Sequence, residues 1–202
     1  MNKNWALALV VAFALGISVK MYFDQQNALP VASESSSAPV TLFGADNTPV
    51  NLNDLADSRV RVVYFGFTRC PDVCPTSLAM MAGALNQLED EQRMQFRPMF
   101  ISLDPERDAP ELASEYAAYF HKDIEGLSAP LDTTKPLASK YGVIFRKTEL
   151  ADSALQYTLD HSSYFYFLKP DGSLITKVPH ALSPAPVLAA MKDILKTQNN
   201  QG

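Results

Sequence analysis

The chain has 202 residues, of which 47% are hydrophobic and 19% are charged, and it contains eleven Phe and eight Tyr. This composition excludes a wholly disordered chain, and the length fits one folded domain with extensions. The net charge of −5 at pH 7 gives no sign of a basic stripe, so no nucleic-acid partner is expected.

The first predicted element is an apolar helix at the N-terminus. Residues 5–19 carry no charge, and a helix over residues 5–23 would be about 28 Å long, close to a bilayer core. A cleaved signal peptide competes with an uncleaved anchor, but the Ala-Phe-Ala motif at residues 12–14 lies inside the apolar run instead of after it. We therefore predict a membrane-anchor helix at residues 1–23.

The segments after this helix differ in composition. Residues 24–37 are small, polar and aperiodic, which predicts a flexible linker. Residues 38–197 form the predicted folded domain, and residues 198–202 a disordered tail. The predicted location is the periplasmic side of a bacterial inner membrane. Because that compartment is oxidising, two free thiols in this domain are expected to form a disulfide unless a metal ion or a reductant keeps them reduced.

Hydrophobic periodicity predicts alternating strands and helices within the domain. The predicted strands are 41–43, 50–52, 60–67, 96–103, 143–145, 164–168 and 174–178. The predicted helices are 75–88, 110–119, 135–141 and 184–195. The strand at 60–67 is a nearly continuous apolar run, which is typical of a central strand buried on both faces.

The only two cysteines of the chain, Cys70 and Cys74, lie between this central strand and the helix that follows it. That placement and the order of elements predict a thioredoxin-like α/β fold, with a central mixed β-sheet flanked by helices. Open α/β sheets carry their chemistry at the carboxyl ends of strands, where this loop falls. A helix N-terminus behind the thiols would lower their pKa.

Two thiols this close have three chemical fates: a structural disulfide, a redox couple, or a pair of ligands for a soft metal ion. The structural disulfide is the weakest interpretation, because a five-residue loop removes little entropy from the unfolded chain. The three residues between Cys70 and Cys74 allow both sulfurs to face one ion, as well as to form a disulfide. The redox and metal interpretations therefore both stay open.

His161 is a candidate third ligand, because it shortly precedes the strand at 164–168 and that approach loop should lie beside the cysteines. Asp160 is a candidate to orient its imidazole through a second-shell hydrogen bond. Two thiolates and one imidazole suit Cu(I) in trigonal geometry, or Cu(II) with an added water. Zinc also fits these donors, but a structural zinc site normally takes a fourth protein ligand.

Four short motifs closely resemble those of the Sco/SenC family of copper proteins. They are YFGFTRCPDVCPT at residues 64–76, SLDPERD at 102–108, YGV at 141–143 and DHSS at 160–163. The resemblance implies a membrane-anchored, thioredoxin-like protein that binds one copper ion through Cys70, Cys74 and His161. It also implies a function in assembling the binuclear copper site of cytochrome c oxidase.

The sequence thus favours a copper metallochaperone whose partner is the copper-site subunit of cytochrome c oxidase, with other copper chaperones or thiol reductants as further partners. The alternative is a thiol–disulfide oxidoreductase that acts on exported cysteines through Cys70 and Cys74. Whether the chain is an enzyme stays open. A thiol peroxidase would place Thr or Ser three residues before its reactive cysteine, where this chain has Phe67 and Pro71. A redox or copper sensor would need a signalling partner, which this sequence does not reveal.

Other residues with metal-binding or acid–base chemistry have simpler interpretations. His121 is predicted to cap a helix or lie at the surface, and His180 is a weak candidate for a transient copper or partner contact. Met80 and Met81 lie on an amphipathic helix, where core packing is favoured. The acidic segment at 104–108 predicts a turn with an ion pair to Arg107, in preference to a site for a hard metal ion.

Overall fold

The computed structural model describes Lys20, residues 40–151 and residues 153–199. The predicted anchor, apart from Lys20, and the predicted linker lie outside the described residues. Among the residues that are described, no helix is both long enough and apolar enough to span a bilayer. The last helix reaches Asn199, which places residues 198 and 199 of the predicted disordered tail in a helix.

Residues 40–199, as far as they are described, form nine strands, five α-helices and one short 3-10 helix, Ala45–Asn47. The strands are β1 Thr41–Phe43, β2 Pro49–Asn51, β3 Val60–Gly66, β4 Phe96–Ser102, β5 Glu125–Leu127, β6 Phe145–Glu149, β7 Tyr157–His161, β8 Tyr164–Leu168 and β9 Leu174–Pro179. The helices are α1 Val73–Leu85, α2 Asp90–Arg93, α3 Pro110–Phe120, α4 Leu131–Lys140 and α5 Ala185–Asn199.

The central sheet has five strands in the order β5-β4-β3-β8-β9. β3 pairs parallel with β4 and antiparallel with β8, so the sheet is mixed. All seven residues of β3 are buried, because its apolar run has a neighbouring strand on each side and core side chains on both faces. The predicted α/β fold with a central mixed sheet is confirmed.

A separate two-stranded ribbon is formed by β6 and β7, which pair antiparallel from Phe145 with His161 to Glu149 with Tyr157. The sequence predicts only a short strand at 143–145 and a loop before β8. The segments FRKTE and YTLDH mix polar and apolar residues and contain no apolar run. Their extended conformation depends on the ladder between them, which a local pattern does not reveal.

Two further elements are absent from the predictions: the one-turn helix α2 and the edge strand β5. β5 has three residues and exists through its pairing with β4, from Met99 with Glu125 to Ile101 with Leu127. Its middle residue, Gly126, lies so close to α3 that a Cβ atom there would be 1.9 Å from the carbonyl oxygen of Ala113. The absence of a side chain at residue 126 therefore lets α3 cover this edge of the sheet.

Replacing Gly126 by alanine should consequently force α3 away from β5. We expect Gly126→Ala to lower the free energy of unfolding by about 2–3 kcal/mol, in the range of overpacked cores. Gly44→Ala is the matched control, because the added Cβ would meet its nearest atom at an ordinary 3.5 Å. Urea unfolding followed by circular dichroism measures both, and equal losses for the two variants would contradict the assigned contact.

Candidate metal centre

Three potential metal ligands meet at the carboxyl end of β3. Cys70 lies in the loop after β3, Cys74 is in the first turn of α1, and His161 is the last residue of β7. Their ligand atoms all lie within 4.8 Å of one another. The Cys74 Sγ and the His161 Nε2 lie 3.3 Å apart. The structure thus brings together the two cysteines and the histidine that the sequence singled out.

The start of α1 explains why both sulfurs lie at this point. The helix begins at Val73, two residues before the predicted start, and Pro75 falls in its first turn, where a missing N–H group breaks no helical hydrogen bond. The backbone N–H of Cys74 is one of the free donors of that turn, and it lies 3.4 Å from the Cys70 Sγ. The helix terminus therefore stabilises a thiolate at Cys70.

The two thiols differ strongly in acidity. The hydrogen bond from the Cys74 thiol, helped by the backbone N–H groups of Asp72 and Cys74, lowers the pKa of Cys70 to about 4 against the opposing effect of burial. The Cys70 thiolate and burial in turn raise the pKa of Cys74 well above its usual range. The reduced pair therefore holds one proton at neutral pH. Cys70 is a half-buried thiolate, and Cys74 is a buried thiol.

The orientation of His161 is set by a backbone group. Its Nδ1 lies 3.0 Å from the carbonyl oxygen of Ser162, and because a carbonyl can only accept, Nδ1 must carry the proton. The lone pair of a neutral imidazole is then on Nε2, which faces Cys74. The rings of Tyr64 and Phe67 meet the imidazole edge to face, at centroid distances of 6.3 and 5.9 Å.

The structure does not bring Asp160 to the imidazole, so the prediction that Asp160 orients His161 is corrected. The Asp160 carboxylate is exposed, accepts a 2.7 Å hydrogen bond from the Thr148 hydroxyl, and pairs with Arg146 at 3.4 Å. Successive residues of a strand point to opposite faces, so Asp160 faces away when His161 faces the cysteines. The carbonyl of Ser162 has the orienting role instead.

Gly66 is a further residue that this site requires, and the sequence analysis does not single it out. A Cβ atom on Gly66 would lie 2.8 Å from the Cys74 Sγ and 3.0 Å from the Phe100 ring. Only glycine therefore leaves room for the Cys74 sulfur against the end of β3. A glycine inside an apolar strand pattern signals such a close approach, and that signal was present in the sequence.

The remaining histidines and methionines lie outside the ligand cluster. His121 is the C-cap residue of α3, as predicted. His180 lies 2.8 Å from the Ser77 hydroxyl through its Nδ1, so it connects the end of β9 to α1. Met81 is fully buried, and Met80 packs against the core, as expected for helix residues. The predicted ion pair is present, with 2.5 Å between the Arg107 Nε and an Asp104 oxygen.

The donor chemistry of the cluster fits a soft metal ion. Two sulfurs and one imidazole nitrogen are ligands that Cu(I) and zinc prefer. Within the described residues, no fourth His, Cys, Asp or Glu joins the three. A protein-only tetrahedral site, as structural zinc takes, is therefore not formed by the described part of the chain.

The comparison with known families identifies the chain. The family described as SCO1/SenC matches residues 32–196, and the chain belongs to this family. Curated relatives include SCO1 homolog 1 of Arabidopsis thaliana, which is 31% identical over an alignment of 188 positions that covers 85% of this chain and 55% of that protein. The mitochondrial SCO2 of Saccharomyces cerevisiae is 34% identical over 71% of this chain and 47% of its own length. This chain thus spans about half of the length of these two relatives.

Solved structures of relatives share the fold. The copper-bound ScoI of Arabidopsis thaliana is 31% identical and aligns with a TM-score of 0.70 over 79% of this chain and 98% of that one. The apo Sco1 protein of Thermus thermophilus is 33% identical, with a TM-score of 0.67 over 77% of this chain and 91% of its own. The thioredoxin-like architecture expected from the sequence is that of these relatives.

The acidity of Cys70 predicts an unusual pH profile. A pKa near 4 keeps this residue ionised from weakly acidic pH upward. Its alkylation rate should therefore stay nearly constant between about pH 5 and pH 8, whereas an ordinary thiol gains about tenfold per pH unit. Mass spectrometry of the reduced chain after iodoacetamide treatment measures the rate at each cysteine.

Cys74→Ala is the control for this profile, because it removes the thiol that donates to Cys70. In that variant the rise in alkylation rate should move toward neutral pH. A tenfold increase per pH unit at Cys70 of the unchanged chain would contradict the assigned thiolate.

Proposed function

We propose that this protein is a copper metallochaperone that binds one copper ion per chain through Cys70, Cys74 and His161. The observation that carries the proposal is the cluster itself, in which two sulfurs and one imidazole nitrogen lie within 4.8 Å of one another. Copper is the cargo of such a protein, so the site must both hold the ion and give it up.

The protonation state of the cluster supports copper in particular. Cys70 is already a thiolate, and the Nδ1 of His161 faces the Ser162 carbonyl, so the neutral imidazole offers Nε2 to a metal ion and Cys74 is the thiol that must lose its proton. Three soft donors satisfy Cu(I), which accepts trigonal geometry, but leave zinc one protein ligand short. Structures of the Arabidopsis and yeast relatives are described as copper-bound.

The recipient we propose is the copper-site subunit of cytochrome c oxidase, with other copper chaperones or thiol reductants as suppliers of copper or electrons. Membership in the SCO1/SenC family supports this part of the proposal. The setting we propose is the periplasmic side of a bacterial inner membrane, with residues 1–23 as the anchor. Cys70 is partly exposed, which gives a partner's ligand a route to the ion.

Copper titration of the reduced full-length chain tests the ligand set. Removing a residue that hydrogen-bonds to a metal ligand typically costs about 10–100-fold in metal affinity. His161→Ala removes a ligand itself, so it should weaken copper binding by about 100-fold or more. The measurement is competition with a chelator of known affinity, with circular dichroism as the check on folding. His121→Ala is the matched control, since it removes a histidine that caps α3 outside the cluster.

Unchanged copper affinity in His161→Ala would remove this residue from the ligand set. No copper binding by the fully reduced chain would exclude the metallochaperone as a whole.

The contrast between the two thiols favours a second function, thiol–disulfide exchange. The half-buried Cys70 thiolate can attack a disulfide of an exported protein, forming a mixed disulfide and releasing one substrate thiolate. Cys74 then loses its proton and attacks the Cys70 sulfur, which releases the second substrate thiolate and leaves an intramolecular disulfide. The substrate gains two electrons from the cysteine pair, and a thiol reductant must restore the pair.

The order of attack can be tested by removing one cysteine at a time. In Cys74→Ala the mixed disulfide with a peptide disulfide should accumulate, because the resolving thiol is absent. Cys70→Ala is the matched control and should form little adduct, because Cys74 is fully buried and burial alone still raises the pKa of its thiol. Mass spectrometry under non-reducing conditions counts the adducts, and equal yields in both variants would contradict the assigned order.

A further inference from the structure

The loop between β4 and α3 contains none of the candidate ligands, yet it contacts both chain segments that carry them. Two buried aspartates, Asp104 and Asp108, lie one turn apart in this loop. The carbonyl of Asp104 accepts hydrogen bonds from the N–H groups of Arg107 and Asp108, at 3.0 and 2.9 Å. The turn therefore fixes the two carboxylates relative to each other.

Asp108 holds the cysteine loop. Its carboxylate is fully buried and accepts hydrogen bonds from the Thr68 N–H at 2.9 Å and the Thr68 hydroxyl at 2.5 Å. The Ser102 hydroxyl donates a third, at 2.6 Å. In the described chain no Lys, Arg or His forms an ion pair with Asp108, so these hydrogen bonds must compensate for its burial. Thr68 is two residues before Cys70.

Asp104 holds the ribbon that carries His161. Its carboxylate accepts a 2.7 Å hydrogen bond from the Tyr157 hydroxyl and the ion pair from Arg107. The Arg107 guanidinium lies 3.5 Å from the centre of the Tyr157 ring. It also donates to the carbonyls of Leu155 and Tyr157, each at 3.0 Å. Tyr157 is thus held at its ring, its hydroxyl and its backbone.

This attachment matters because the ribbon has no other ladder in the described chain: β6 and β7 pair with each other and with no strand of the central sheet. Tyr157 is the first residue of β7, and His161 is the last. The chain continues from His161 directly into β8, which fixes one end of β7. The contacts of Tyr157 fix the other end, so they set the direction of the strand.

We propose that Asp104 and Asp108 are positioning residues of the candidate metal centre. Asp108 sets the cysteine loop through Thr68, and Asp104 sets His161 through Tyr157 and Arg107. The loop after β4 therefore holds the cysteine loop and the ribbon with His161 at a fixed position relative to each other. We call this loop and its contacts through Asp104 and Asp108 the brace. The consequence for copper rests on the proposed function, but the positioning itself does not.

The Asp104 contact is tested by Tyr157→Phe, which keeps the ring over Arg107 and removes one buried hydrogen bond. Copper affinity should fall by roughly fivefold, the effect of one such bond. Tyr141→Phe is the matched control, because Tyr141 is similarly buried and its hydroxyl donates a 2.8 Å hydrogen bond to Gly172, which is not part of the ribbon. This variant should leave copper affinity unchanged.

A double-mutant cycle with His161→Ala separates positioning from general destabilisation. If Tyr157 acts through His161, adding Tyr157→Phe to His161→Ala should cause no further loss of copper affinity. Asp108→Asn acts on the cysteines, so the loss of copper affinity that it causes should persist in the His161→Ala background. Thr68→Val removes one donor to the same carboxylate and replaces Asp108→Asn if that variant does not fold.

Two measurements on the metal-free, reduced chain keep this test independent of copper. The ring-proton NMR signals of His161 should shift in Tyr157→Phe and stay in place in Tyr141→Phe. The equilibrium constant for forming the Cys70–Cys74 disulfide from oxidised glutathione, with release of two reduced glutathiones, should fall in Asp108→Asn or Thr68→Val and not in Tyr157→Phe. A chain that binds no copper but gives these results would retain the brace and lose only the proposed function.

Three results would overturn the brace. One is an equal effect of Tyr157→Phe on copper affinity with and without His161. Another is an effect of Tyr141→Phe equal to that of Tyr157→Phe. The third is a disulfide equilibrium that neither Asp108→Asn nor Thr68→Val changes.

Discussion

The antiparallel pairing of β3 with β8 is the constraint on which this structure depends. β3 runs toward the cysteine loop, and because β8 runs in the opposite direction, its first residues lie at the same end of the sheet. His161, three residues before Tyr164, is therefore delivered to the end where Cys70 and Cys74 begin α1. Burial of every residue of β3 makes this register costly to change, since a slip would turn core side chains to the wrong face.

At that end of the sheet, one proton is shared between two sulfurs. The free N–H groups of the first turn of α1 and the Cys74 thiol stabilise negative charge on Cys70, and the resulting thiolate suppresses ionisation of Cys74. A soft cation that displaces the remaining proton gains two thiolates and the Nε2 of His161. The disulfide form offers no thiolate, so in the function we propose the oxidation state of the pair controls metal binding.

Burying a carboxylate lowers the stability of the fold unless the carboxylate is hydrogen-bonded, and the loop after β4 buries two of them. Asp108 satisfies donors of the cysteine loop, while Asp104 satisfies Tyr157 and Arg107 beneath the ribbon. Removing either carboxylate would leave buried donors unpaired in a segment that carries ligands. The position of this loop, between the two halves of the site, gives those hydrogen bonds a role beyond the local turn.

The sequence by itself determined the central strand, the cysteine loop at its carboxyl end and the candidacy of His161, because an apolar run and a short cysteine spacing are local patterns. It left β5 and β7 undefined and reached only the first residue of β6, since short or polar strands depend on a partner strand. Only the tertiary structure shows that Asp160 points away from the imidazole and that the Ser162 carbonyl orients the imidazole instead. Only the tertiary structure shows, too, that Cys70 and Cys74 together hold one proton. These features arise from contacts such as the one between Cys74 and His161, which are 87 residues apart, and no local pattern specifies which distant groups meet.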